Sequence, residues 1–274
     1  MIAAFLRIGG NMRKSNYQTD VALMSVTTTE FNAVMHFHDW KAKTVLGDDQ
    51  IYDAANFERD GKTYTLVHAK TNEMGMTAAA ATAMKLFFLF RPRYLIMVGI
   101  AAGVVKEELE DQRYGDVVLP NVIWNYSAGK FVSPELADIR YGNMGFLPRS
   151  TSESIPDEIM PYLRKAADSD ENPCHVYIGP MACGSTVVAN RELLEKQIYS
   201  QYQHTAGLDM ESYAVVYAAN HANDPRPAPI IIKSVCDFAD SQKSDDYQRF
   251  AAYSSCEFAK FLYEKSCLWI DIRR

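Results

Sequence analysis

Arg91-Pro-Arg-Tyr-Leu-Ile-Met-Val-Gly-Ile-Ala-Ala-Gly103 is the stretch on which the fold turns. Pro92 stops any helix arriving from upstream. Tyr94 to Val98 is apolar at every position rather than at alternate ones, which marks a strand buried on both faces. Gly99 and Gly103 permit a tight turn and close backbone approach by a ligand, or simply close packing. Upstream, Met76-Thr-Ala-Ala-Ala-Ala-Thr-Ala-Met84 opens a helix predicted to run to Phe90, with a surface small enough to lie close against a sheet or another helix.

The same grammar repeats outward. Strand-like runs occupy Val21 to Val26, Tyr64 to His68, Asp116 to Leu119, Val176 to Ile178 and Ile230 to Ile232, and helix-like runs Glu30 to Phe37, Arg191 to Gln201, Ser212 to Asn223 and Tyr247 to Lys265. Continuous apolar strands interleaved with helices predict an α/β fold of three α/β/α layers around a twisted, mixed and mainly parallel sheet. The Pro-, Ser- and Gly-rich region from Tyr126 to Pro173 is expected to hold the long excursions. No repeat or linker divides the chain, so residues 20–274 read as one catalytic domain preceded by an arm over residues 1–19.

Composition narrows the function classes. A chain of 274 residues, 48% hydrophobic and 23% charged, is that of an ordinary globular protein. Its net charge of −6 and lack of a Lys/Arg-rich run argue against a nucleic-acid partner. The opening Met1 to Leu6 is cut short by Arg7, and no stretch approaches the ~18–20 apolar residues of a membrane span, so no membrane association is expected. Cys174, Cys183, Cys236, Cys256 and Cys267 form an odd set without Cys-x-x-Cys spacing, and the histidines lack ligand spacing apart from His36-x-His38. Neither disulfides, metal nor cofactor is expected, and the location is read as cytoplasmic.

Two acidic clusters stand at the edges of apolar runs: Gly207-Leu-Asp-Met-Glu-Ser212 and Lys233-Ser-Val-Cys-Asp-Phe-Ala-Asp240. Carboxylates at the ends of buried elements can be held in a desolvated pocket. Each also has a plain structural explanation, a helix cap for Asp209 and a turn for Asp237 to Asp240.

In order, Val21-Ala-Leu-Met-Ser-Val-Thr-Thr-Thr-Glu-Phe31, Val98-Gly-Ile-Ala-Ala-Gly103, Gly115-Asp-Val-Val118, Met181-Ala-Cys-Gly-Ser-Thr186, Leu208-Asp-Met-Glu211 and Ser234-Val-Cys-Asp-Phe-Ala-Asp240 resemble the motifs of the nucleoside phosphorylase and nucleosidase superfamily. The likeness runs from about residue 20 to 265 and is particularly to the methylthioadenosine/S-adenosylhomocysteine nucleosidases, with one stretch closer still to another subset. Cys236 to Lys243, with Tyr247-Gln248 and Ala251-Ala252, is similar to phosphorylase-like domains joined to bacterial and fungal immune or signalling proteins, some of which cleave adenine from nucleotides.

The resemblance implies hydrolysis of a purine–ribose bond. On motif correspondence Asp237 protonates or hydrogen-bonds the purine N7, Glu211 accepts from the ribose hydroxyls beside the Met210 backbone, and Glu30 activates the attacking water. Without the resemblance, Glu30 is read as a solvated first-turn helix carboxylate. Three positions depart from the pattern: Val187 replaces a base-stacking aromatic, Ile100 a small hydroxyl residue, and Lys233 an arginine. Lys243, just beyond Asp237, is either a contact for a 5′-phosphate or solvated surface.

Met97-Val98 and Thr27-Thr28-Thr29 stand where phosphorylases carry phosphate-binding arginines, so water is favoured over phosphate as nucleophile. The leading expectation is cleavage of an adenine nucleoside or nucleotide, with a methylthioadenosine/S-adenosylhomocysteine nucleosidase or a phosphate-dependent phosphorylase as alternatives. A non-catalytic nucleoside-sensing module on the same fold stands as the third. The resemblance also implies a homo-oligomer, with neighbours completing the pocket around the 5′ end.

Overall fold

A computed structural model of the chain describes residues 16–104, 112–133, 145–188, 192, 194–239, 246–266 and 268–269. Twelve described strands are β1 (Thr19–Ser25), β2 (Lys41–Val45), β3 (Asp48–Arg59), β4 (Lys62–Lys70), β5 (Pro92–Ala102), β6 (Val117–Asn125), β7 (Gly129–Phe131), β8 (Phe146–Pro148), β9 (Ser152–Ser154), β10 (Val176–Cys183), β11 (Gly207–Asp209) and β12 (Ala228–Asp237). The helices are α1 (Thr28–Met35), α2 (Met76–Phe90), α3 (Met160–Ala167), α4 (Ser212–Asn220) and α5 (Gln248–Glu264).

The central sheet runs β11-β10-β6-β12-β5-β1-β4-β3-β2, with β9 added on β6. Its middle is parallel, β4-β1-β5-β12, while β2-β3-β4 form an antiparallel meander and β6 runs antiparallel to β12. Antiparallel pairs are thus as prominent as parallel ones, more than continuous apolar runs predict. Strand β2 escapes sequence reading because it is a lysine-bearing, largely exposed edge with no apolar period. Helix α2 packs against α4 on one side of the sheet and α1 against α5 on the other, completing the three layers.

The punctuation acts as the sequence implies. Helix α2 ends on Arg91, in the left-handed region at φ 43°, and Pro92 opens β5. Strand β12 is buried at every position. The segment expected to be a helix from Arg191 to Gln201 is instead a π-helical stretch over Leu194–Tyr199, with Arg191 outside the described residues. The Tyr126 to Pro173 excursion carries the β7–β8 ribbon, the edge strand β9 and α3. Of the N-terminal arm, residues 1–15 lie outside the described residues, while Tyr17 Oη donates to the Arg226 carbonyl at 2.8 Å, Gln18 N–H donates to the Arg91 carbonyl and Thr19 already belongs to β1.

One departure from a simple open sheet positions the site. Leu208 of β11 pairs with Ala102 of β5, so β5, β12, β6, β10 and β11 close into a ring. The closure brings the ends of β5, β11 and β12 together beside the start of α1.

Candidate active site

Glu30 follows directly from local sequence. Thr27 caps α1: its Oγ1 accepts from Glu30 N–H at 3.2 Å, and Glu30 Oε2 reaches back to Thr27 N–H at 2.7 Å, a capping box. The same Oε2 accepts from Val26 N–H at 2.8 Å, and Oε1 accepts from Ile100 N–H at 2.9 Å. Three backbone donors therefore fix a buried carboxylate. The reading of Glu30 as a solvated first-turn residue is corrected: it is first-turn, but it is held under β5. Gly99 is what admits it, since a methyl there would overlap Glu30 Oε1. The two glycines of the opening stretch thus serve internal packing, Gly99 against Glu30 and Gly103 against Gln112 and Val235.

The acidic cluster at Asp209 and Glu211 is neutralised from beneath by a residue of the other cluster. Lys233, on β12, is fully buried and places Nζ 3.3 Å from Asp209 Oδ2 and 3.7 Å from Glu211 Oε2. Burial disfavours its charge, yet the fields of Asp209, Glu30 and Glu211 outweigh that and raise its pKa. Asp209 also accepts from Ser212 Oγ–H at 2.6 Å and from Ser212 N–H at 3.0 Å, but the N-cap position of α4 is taken by Glu211, so the expected cap role of Asp209 is corrected to a contact with the first helical residue. Glu211 Oε1 accepts from Gly75 N–H at 2.9 Å. Burial, partly offset by Lys233 and reinforced by Asp209, raises the Glu211 pKa above the ordinary glutamate range.

Asp237 ends β12 and is buried. Its Oδ1 accepts from Ala239 N–H at 2.9 Å across a turn in which Ala239 takes φ 55°, and Cys236 Sγ–H lies 3.4 Å from Oδ2. The turn expected at Asp237 is therefore present, and the residue that makes it also borders the cavity described next.

These groups line one cavity of about 340 Å³, a size suited to a small ligand. Glu30, Asp209, Glu211 and Asp237 all border it, together with the apolar Met74, Ile100, Leu208, Met210 and Val187. Met210, Ile100 and Val187 thus line the same cavity as the carboxyl groups, Ile100 contributing its N–H to Glu30 as well as its side chain. Lys233 lies below the floor and reaches the cavity only through its carboxylate partners. Lys243 lies outside the described residues. Among the described lining residues none is a lysine or arginine.

Asp209, Tyr126, Met74 and Gly75 escaped sequence reasoning as site residues. Tyr126 lines the cavity and donates its hydroxyl to the Thr186 carbonyl at 2.7 Å, beside Val187. An aromatic side chain is therefore present near the position where Val187 lacks one, and burial pushes its phenol up to about 12. Its only sequence signal is its place just after the apolar run of β6. Among the described residues no group of three or more His, Cys, Asp or Glu side chains is placed to hold a metal ion, and no helix is long and apolar enough to cross a membrane.

Comparison with known proteins adds to this geometry. The family model described as the phosphorylase superfamily matches residues 32–264. An uncharacterized protein of Sinorhizobium fredii, y4jS, is 29% identical over 259 residues, 89% of this chain and 60% of that protein. The ATP nucleosidase Cap17 of Escherichia coli is 27% identical over 72% of this chain and 40% of its own length. The chain thus spans about half the length of these curated relatives. The crystal structure of 5′-methylthioadenosine/S-adenosylhomocysteine nucleosidase from Neisseria meningitidis, in complex with methylthio-immucillin-A, superposes with a TM-score of 0.69 at 19% identity, covering 90% of this chain and 99% of that one.

Proposed function

The chain belongs to the phosphorylase superfamily, and from that premise we propose that it hydrolyses the N-glycosidic bond of an adenine nucleoside or nucleotide, releasing free base. The observation that carries this reading is electrostatic. Four buried carboxyl groups border one cavity, and even with Asp237 set aside as the proton donor, Glu30, Asp209 and Glu211 outnumber Lys233, the one ammonium that the described residues pair with them. A net negative cavity stabilises the positive charge that develops on ribose as the bond breaks. It also repels inorganic phosphate, and no described lining residue offers a cation to offset that.

In this reading Glu30, held by three backbone donors, takes a proton from water as the water oxygen adds to the anomeric carbon. Glu211 accepts from the ribose hydroxyls. The bonding pair of the C–N bond passes to the base, and Asp237 supplies the proton that neutralises it at N7, so one proton is gained and one lost by the protein. Tyr126 supplies the aromatic wall for the base that the Val187 position does not.

The uncharged and mainly apolar remainder of the described lining favours a nucleoside, including a 5′-thioether, over a nucleotide. The name of Cap17 supports the nucleotide instead, and Lys243 is the residue through which a phosphate would be met. We further propose a homo-oligomer, since Met74 and Val187 leave apolar lips 61% and 52% exposed at the cavity. A cytoplasmic location fits the lack of any disulfide among Cys174, Cys183, Cys236 and Cys256. Adenosine, methylthioadenosine, S-adenosylhomocysteine, AMP, ATP and inosine, compared for base release by chromatography, test the proposal. Adenine release from at least one adenine compound supports it; a preference for inosine removes the role given to Asp237, and tight binding without turnover leaves a sensor.

A further inference from the structure

Three strands place a Ser–His–Asp row inside the sheet, behind Glu30. Ser25 is the last residue of β1, His68 lies on β4, and Asp53 lies opposite His68 on β3. His68 Nε2 is 2.9 Å from Ser25 Oγ, and His68 Nδ1 is 3.2 Å from Asp53 Oδ2. Burial keeps the imidazole neutral against the opposing pull of Asp53. A carboxylate oxygen at Nδ1 can only accept, so the ring proton sits on Nδ1 and Nε2 accepts from Ser25 Oγ–H.

The row has the composition of a nucleophilic triad but not its setting. Ser25 and His68 have no exposed surface and neither borders the active-site cavity, so no substrate reaches the hydroxyl. Its neighbours point to another use. Ser25 immediately precedes Val26 and Thr27, whose N–H groups both donate to Glu30 Oε2. The Ser25 carbonyl accepts from Thr71 N–H at 2.9 Å, where β4 leaves the sheet toward Gly75, the donor to Glu211. The His68 ring lies 5.7 Å from that of Phe31, the residue after Glu30.

We propose that Asp53, His68 and Ser25 form a positioning relay that fixes the end of β1 and thereby the orientation of the Glu30 carboxylate. Asp53 selects the ring tautomer, His68 fixes the Ser25 hydroxyl, and the immobilised β1 terminus presents two N–H groups to one Glu30 oxygen. The relay contacts no reacting atom. Its role in turnover rests on the nucleosidase reading, whereas its effect on the Val26 and Thr27 amides does not.

Two measurements test it on the full chain. Ser25→Ala is expected to lower kcat for adenine release about tenfold while KM stays within about twofold, because the attacking water is misaligned but the sugar and base contacts persist. Asp53→Asn keeps an acceptor for Nδ1–H and is expected to retain kcat, whereas Asp53→Ala falls with Ser25→Ala. In parallel, amide hydrogen exchange at Val26 and Thr27 is expected to speed up in Ser25→Ala with global thermal stability largely kept. An unchanged kcat in Ser25→Ala, equal damage from Asp53→Asn and Asp53→Ala, or unchanged exchange at both amides overturns the relay. Should wild-type protein release no base from any purine compound, the function reading falls and the exchange measurement alone decides the relay.

Discussion

The backbone N–H of Ile100 donates to Glu30 Oε1 at 2.9 Å, joining the helix that follows the first strand to the end of β5. With Val26 and Thr27 on the other oxygen, the three hydrogen-bond donors to this carboxylate among the described residues are all backbone N–H groups. Glu30→Gln must turn its own NH₂ toward one of them. The variant is expected to fold, to lose about 1–3 kcal/mol of stability, and to lose on the order of 10²–10⁴-fold in base release. Thermal melts and a base-release assay check both halves.

Gly99 leaves the room that Glu30 occupies. A Cβ at this position would overlap Glu30 Oε1 and come within 3.2 Å of Lys233 Nζ. Gly99→Ala is therefore expected to displace the carboxylate and cut kcat by about 100-fold, a larger effect on rate than on the melting temperature. Normal turnover in this variant would show that Glu30 is free to move or is not required.

Lys233 compensates buried charge rather than touching substrate. Lys233→Met leaves Asp209 and Glu211 without their cation and is expected to cost about 3–5 kcal/mol. Adding Glu211→Gln to Lys233→Met should recover part of that loss, a coupling that urea titrations of the two single variants and the double variant will read. Additive losses would place Lys233 outside the network.

Two acid-side effects follow from the buried titratable groups. Glu211 must be ionised to accept from two hydroxyls, and burial raises its pKa, so kcat/KM is expected to fall with acidification above the ordinary glutamate value of 4.5. Activity undiminished down to about pH 4 would contradict that assignment. His38 is lowered to about 4 by burial and by the charge of Lys260, against the pull of Asp39. Between the ordinary 6.5 and about 4 the unfolded chain then binds the extra proton, so stability is lost as pH falls through that window. His38→Leu should reduce this slope in urea midpoints, while His68, lowered in the same direction, maintains the remainder.

Much of the fold was legible because its core strands are apolar at every position. Helix α2, predicted over Met76 to Phe90, has those bounds in the structure. Strands β2 and β3 were not legible as a meander, since exposed lysines and half-buried polar positions carry no period. At the site, Glu30, Glu211 and Asp237 were located by motif and do meet at one cavity. What sequence could not supply was the charge compensation. The Lys233 to Asp209 contact joins β12 to β11 across the ring closure, and that closure depends on a pairing between Leu208 and Ala102 that no local pattern announces. Nor could spacing show that Asp209 and Asp237, each engaged by backbone N–H groups close in sequence, both border the cavity.

In the proposed reaction, water cleaves the glycosidic bond within a net negative cavity. The most direct test follows product formation from the best adenine substrate with and without inorganic phosphate. The expected result is free adenine and free sugar in equal amounts, at a rate that added phosphate does not raise. Strict dependence on phosphate, with ribose 1-phosphate as the sugar product, would contradict it.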